Sequence, residues 1–383
     1  MHRWLFPILL LAMSLGVVTY YAVAIFDFSP NTTDPHDAQR EYQLYKSVVD
    51  GKPMTLNKDN TLVGALLTTW LPALVQKVTH IDPATLYRYF SIPLVVWLPL
   101  VVYFLVKHYL SAFMAFLVGL LFISQPYYIV APSVARIVVA TTLFALGVLV
   151  VVNERWGLWR KGILLVVLSG LMVVSHCGTA VAVVAFLIGW LTLSFVLRGH
   201  WQAVSSKQIL TIGMFAVILG LVSWFWFGYA AHFLGTHVAR VSTGIIAGKV
   251  PATVTGSVGI AQTIMGSNFG GLDIIHKLEM IGTWLLFAAI GAGFVMQREK
   301  HYLFLSAAVV GIALVALALV SPWLNGYYGI QRVYFHFSFL LLPFAVYGLM
   351  WLSKTARIWQ WTLPTVLTVF YFVFSVAGHF IGG

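Results

Sequence analysis

Two carboxylates four residues apart, Asp37 and Glu41, stand with His36 and Arg40 in the polar run Asp34-Pro-His-Asp-Ala-Gln-Arg-Glu-Tyr42, within a chain that is 60% hydrophobic and 9% charged. On a helix this spacing puts both acids on one face, where they could share acid–base work or hold a divalent cation such as Mg or Mn. His36 and Arg40 beside them are candidate substrate-binding groups. Four ionisable side chains held next to hydrocarbon are costly, and such clusters usually serve function. A plainer reading stays open. Asp34 as N-cap, Pro35 at the first helical position and Asp37 in the first turn also make an ordinary helix start, with acids favoured by the dipole.

Three further positions carry chemistry. Arg136 follows Pro132 at the edge of the apolar run 137–152, where a guanidinium needs an anionic partner or a path to water, and a lipid phosphate would supply one. Arg332, after Asn325-Gly-Tyr-Tyr-Gly329, could grip the same group bidentately. The alternatives for both are snorkelling to headgroups or an intramolecular pair with an external acid. His176, in Ser175-His-Cys-Gly, could donate to a phosphate or a sugar, or be held in an ordinary hydrogen bond. His232 and His237 lie five apart with no carboxylate close in sequence, a poor pattern for a metal. Arg88, in Tyr87-Arg-Tyr89, reads as an interfacial anchor.

The elements that must position these residues are membrane helices. A mean hydropathy of +0.91, with repeated apolar stretches of about 20 residues, matches a hydrocarbon core of about 30 Å. Runs such as 163–174 and 303–320 are apolar on every face, which excludes the alternating pattern of a β-barrel. Spans are expected near 4–26, 86–107, 109–124, 134–152, 161–175, 178–197, 208–228, 279–297, 302–320, 333–352 and 358–378. That makes eleven, the third short and open to a break at Pro126. The first reads as an anchor, because its apolar run of about 23 residues is longer than the apolar region of a signal peptide. With the N-terminus cytoplasmic, inside segments carry eleven basic residues against Glu154 and Glu299, while outside segments carry eleven against nine acids. That asymmetry follows the positive-inside rule. The net charge of +11 is scattered over loops rather than gathered into a stripe, so nucleic acid is not a partner. The single cysteine, Cys177, excludes an internal disulfide and multi-cysteine metal sites.

One transmembrane domain over residues 1–383 is therefore expected, with two long external segments, 27–85 and 229–278, on the functional face. The first should hold a helix over 34–49, with Tyr42, Leu44, Tyr45, Val48 and Val49 as its apolar side. An in-plane helix over 62–78, broken by Pro72, should follow. The second, with repeated glycines and Pro251, has the length of a binding loop.

A long acidic first external loop, in-plane helices beside it and a many-helix bundle behind resemble the GT-C class of membrane glycosyltransferases, and more narrowly a group of archaeal and bacterial membrane proteins assigned to it. The matching residues are His36-Asp37-x-x-Arg40-Glu41-Tyr42, Arg136-Ile-Val-Val-Ala-Thr, Ser175-His176-Cys-Gly-Thr179 and Tyr328-Gly-Ile-Gln-Arg332, over roughly residues 1–350. The resemblance implies sugar transfer from a polyprenyl-phosphate donor to a glycan, lipid or protein acceptor on the outer face. Asp37 would be the base, with Glu41 beside it, and Arg136, Arg332 and His176 would bind the donor phosphate. A divalent cation is not required by it. The competing classes are a non-catalytic structural or assembly subunit with a partner membrane subunit, and a transporter or flippase. Few mid-span charges and no internal repeat count against transport.

Overall fold

The computed structural model describes residues 4–24, 37–51, 66–201, 204–230, 269–296, 302–321 and 329–381. Among them there are helices and no strands. In chain order the helices are α1 (Leu5–Ala24), α2 (Asp37–Val49), α3 (Leu66–Thr79), α4 (Pro83–Phe90), α5 (Ile92–Val95), α6 (Leu98–Val106), α7 (Ala112–Ile123), α8 (Pro126–Ile129), α9 (Ala135–Val152), α10 (Leu158–Ser175), α11 (Cys177–Trp201), α12 (Ser206–Trp224), α13 (Ile274–Met296), α14 (Tyr302–Val320), α15 (Ile330–Thr355) and α16 (Thr362–Ile381). Ten helical stretches, α4 to α6 taken together, are long and apolar enough to cross a bilayer, and α7 is a shorter apolar helix. The chain is a polytopic helical membrane protein.

Proline explains the interruptions. α5 and α6 each carry one at the second residue, Pro93 and Pro99, where the missing N–H costs nothing. The predicted second span is therefore three short helices that start at Pro83, capped by Asp82, whose carboxylate accepts from the Thr85 backbone N–H at 2.9 Å. Likewise α7 stops before Pro126. One expectation fails: Pro72 does not break α3, which runs through it. The helix gives up one backbone bond there, and the packing of Ala73 against Tyr45 and Tyr87 keeps it in place. Along its outer side α3 exposes Trp70, Leu71, Leu74 and Val78, a pattern suited to a helix lying in the interface.

Contacts divide the chain into two compact units. The first comprises residues 1–17, 99–129 and 250–383, the second 18–98 and 130–249. Each is built around one buried helix. In the first it is α15 and in the second α9, and in each case 83% of the most apolar stretch is buried, against 56% or less for the other spans. In the first unit α15 crosses α13 at glycines: a Cβ on Gly293 would overlap the Phe344 backbone, and one on Gly348 the Ala289 backbone. Close approach through small residues is how helices associate where lipid removes the hydrophobic drive. In the second unit Gly147 of α9 admits the Phe215 ring of α12 in the same way.

Several buried polar groups are answered locally, as a bilayer demands. Thr141 and Thr142 donate to the carbonyls of Ile137 and Val138, both at 2.8 Å. Lys161, in the first turn of α10, is fully buried, and its ammonium donates to the Val151 carbonyl at 2.9 Å. It thereby caps the C-terminal end of α9, where a cation is favoured.

Candidate functional site

In the second unit α2 packs on α3 and on the turn just before α9. α2 buries Glu41 and Tyr45 one turn apart, and Tyr45 packs with Tyr87 of α4 and Ala73 of α3. Three tyrosine rings cluster here: Tyr45 stacks on Tyr87 with centroids 5.2 Å apart, and Tyr42 is tilted against both, 5.4 Å from Tyr87 and 5.9 Å from Tyr45. Tyr42, Val48 and Val49 pack against this cluster, so the predicted apolar face is the packed one. Burial pushes the Tyr45 hydroxyl up to about 12, so it stays neutral. Tyr42 is raised as well, first by burial and then by the nearby acids Asp82 and Asp50.

The stack holds Glu41 against Arg136. The Arg136 Nε lies 3.7 Å from Glu41 Oε2, with 5% and 3% of the two side chains exposed. Arg136 is the second residue of α9, so its charge adds to the positive end of a helix dipole, and only a nearby anion offsets that penalty. Glu41 is such an anion. Tyr87 lies within electrostatic range of both, and Cys177 within range of Arg136.

Beside Cys177, His176 interrupts α10 and α11 for one residue. Its extended backbone makes it the last residue of one turn and the N-cap of the next: its N–H donates to Met172 O, and its carbonyl accepts from the Ala180 N–H at 3.2 Å. Its Nδ1 accepts the Thr179 backbone N–H at 3.1 Å and lies 2.7 Å from Thr179 Oγ1. An accepting Nδ1 assigns the hydrogen to Nε2 in the neutral ring.

In the first unit Arg332 occupies the third position of α15. Gly329, at φ +82, is its N-cap, a conformation that favours glycine. The Arg332 Nε donates to Tyr127 Oη at 2.9 Å, and the Tyr127 ring packs on Phe335, 5.4 Å between centroids. His336, one turn further into α15, is fully buried.

Of the predicted residues, the structure brings Glu41 and Arg136 together and seats His176 at the turn beside Cys177. It places Arg332 in the other unit. The helical backbone puts positions 37 and 41 one turn apart. The side chains of Asp37 and Arg40, and all of His36, lie outside the described residues, as do His232 and His237. No group of three or more His, Cys, Asp or Glu placed to hold a metal exists among the described residues. The partners Tyr87 and Tyr127 were not foreseen. A second polar knot, Glu279 with Ser375 and His379, was hidden because the span was expected to begin at 279.

No protein-family model matches the sequence, and no curated protein does. Solved structures do match. The Archaeoglobus fulgidus oligosaccharyltransferase in its apo form superposes with a TM-score of 0.60 at 12% identity, over 98% of this chain and 56% of that one. The archaeal oligosaccharyltransferase AglB of the same organism, in complex with an inhibitory peptide and a dolichol-phosphate, gives 0.53 at 12%, with the same coverage. AglB is a GT-C glycosyltransferase. The fold is similar to that of these oligosaccharyltransferases. This chain spans just over half the length of these structural neighbours.

Proposed function

We propose that the chain is a GT-C glycosyltransferase that moves a sugar from a polyprenyl-phosphate donor to an acceptor on the extracytoplasmic face, with its N-terminus in the cytoplasm. The observation that carries the reading is where the arginines stand. Arg136 and Arg332 each occupy the first turn of the most buried helix of their unit, so a fixed cation and a positive helix end act together. Each such device suits a phosphate, and Arg136, 5% exposed, is hard to account for as a lipid anchor, since burying a guanidinium is costly. The neighbour captured with a dolichol-phosphate supports a donor of this class.

In this reading the acceptor hydroxyl or amide attacks C1 of the sugar. The bond from C1 to the phosphate oxygen breaks, the bond from C1 to the acceptor forms, and the acceptor proton passes to the Asp37 carboxylate. Charge gathering on the departing lipid phosphate is taken up by Arg136, with the Nε2 hydrogen of His176 as a further donor, and Arg332 is the phosphate-binding candidate of the first unit. His36 and Arg40 bind substrate. Glu41 orients Arg136 rather than joining Asp37 as a cation ligand, because the guanidinium beside it repels a divalent ion. The described residues therefore do not make a metal site, and any cation at Asp37 would draw its other donors from elsewhere.

The pair and the His176 cap would serve a non-catalytic subunit equally well, so the test must separate folding from transfer. Asp37→Asn, produced in a cell that makes the glycan, should abolish transfer at normal protein level. Unchanged glycosylation would defeat the base assignment, and unchanged glycosylation in Arg136→Lys and Arg332→Lys as well would leave the subunit reading.

A further inference from the structure

We infer that Glu279 is a proton-binding site inside the membrane, a neutral carboxylic acid whose proton joins α13, α16 and the end of α7. Glu279 is the sixth residue of α13, about 8 Å along a helix that crosses the bilayer. Ser375 Oγ of α16 lies 2.7 Å from the Ser124 carbonyl at the end of α7 and 3.1 Å from Glu279 Oε1. A hydroxyl has one hydrogen, and a backbone carbonyl can only accept. The Ser375 hydrogen goes to the nearer acceptor, Ser124. The contact with Glu279 is then a good hydrogen bond only if the carboxyl supplies the hydrogen. With its proton, Glu279 donates to Ser375, which donates to Ser124, and three helices are linked in series. Without it, two acceptors compete for one hydrogen and a link is lost.

The surroundings fit a neutral acid. A Cβ on Gly378 would come within 3.0 Å of Glu279 Oε2, so the carboxyl is pressed onto the α16 backbone, where an ion would be expensive. The titratable groups acting on it are His379 of α16 and His276 of its own helix. His379 holds its Nδ1 3.0 Å from the Ser375 carbonyl, and His276 is tied to Asp273 at 2.6 Å. Tyr371 of α16 is also in range, and α15 contributes Tyr334 one step further away, beside Tyr371.

The test is infrared difference spectroscopy on the full chain in lipid at neutral pH. The spectrum of the wild type minus that of Glu279→Gln should contain the carbonyl stretch of a protonated carboxylic acid, and Ser375→Ala should move that band. If Glu279→Gln does not accumulate, 13C-glutamate in the wild type and in Ser375→Ala reads the same band. Carboxylate bands alone, or a band indifferent to Ser375→Ala, overturn the inference. So does a thermal midpoint that falls at alkaline pH as far in Glu279→Gln as in the wild type, since the amide donates at every pH and should be spared.

Discussion

A buried ion pair repays its desolvation only while both partners remain, and this makes Glu41 and Arg136 separable by substitution. Glu41→Ala leaves a guanidinium in the first turn of α9 without its carboxylate and should cost about 3–5 kcal/mol, read as a lowered unfolding midpoint in detergent. Replacing both, as Glu41→Leu with Arg136→Met, should recover most of that stability and still fail in transfer. A double variant as unstable as the single one would contradict the geometry. His176→Ala should cost about 1 kcal/mol through its lost cap, with Asn recovering most of it. At Asp82 the Thr85 backbone and side-chain hydrogen bonds hold the carboxyl below its ordinary range. A group whose folded value is depressed stabilises above its unfolded value and loses that contribution as pH falls through the folded one. Amide protection at the start of α4, taken relative to the intrinsic exchange rate at each pH, should therefore fall in acid, and Asp82→Asn, which keeps the acceptor, should remove that fall. Arg136 was legible in the sequence because a charge at the edge of an apolar run is conspicuous. Its partner was not, since Glu41 sits 95 residues earlier in a cluster that reads as an exposed helix start.

Elements were legible where hydropathy alone sets them and obscure where polar residues enter the bilayer. α14 begins and ends where expected, whereas α13 starts five residues before the predicted boundary. Asp273, His276, Lys277 and Glu279 lower the local hydropathy there, so the polar turn that belongs to the helix looked like loop. Proline misled in the opposite sense at Pro72, because tertiary packing overrode a local breaker. The crossing of α13 and α15 yields a clean prediction at this scale. Gly293→Val and Gly348→Val should each cut the yield of folded protein severely, since a side chain there meets backbone. Gly291→Ala, with nothing within 4 Å, should be tolerated. Equal tolerance at all three, measured by monodisperse recovery in detergent, would mean the helices do not meet as described.

For the molecule as a whole, composition was enough to establish a many-helix membrane protein, and the match to oligosaccharyltransferase structures bears out the GT-C resemblance at the level of fold. Sidedness rests on charge counting and can be measured. In a Cys177→Ser background, Asp50→Cys should react with a membrane-impermeant maleimide on intact cells and Gly157→Cys only after permeabilisation; the reverse would invert the topology. The bond from Lys161 to Val151 bears on how such a chain is made. An ammonium answered ten residues back in the chain has its hydrogen bond within one helical hairpin, so α9 and α10 can leave the translocon together, with that donor already satisfied, before the later helices have been synthesised.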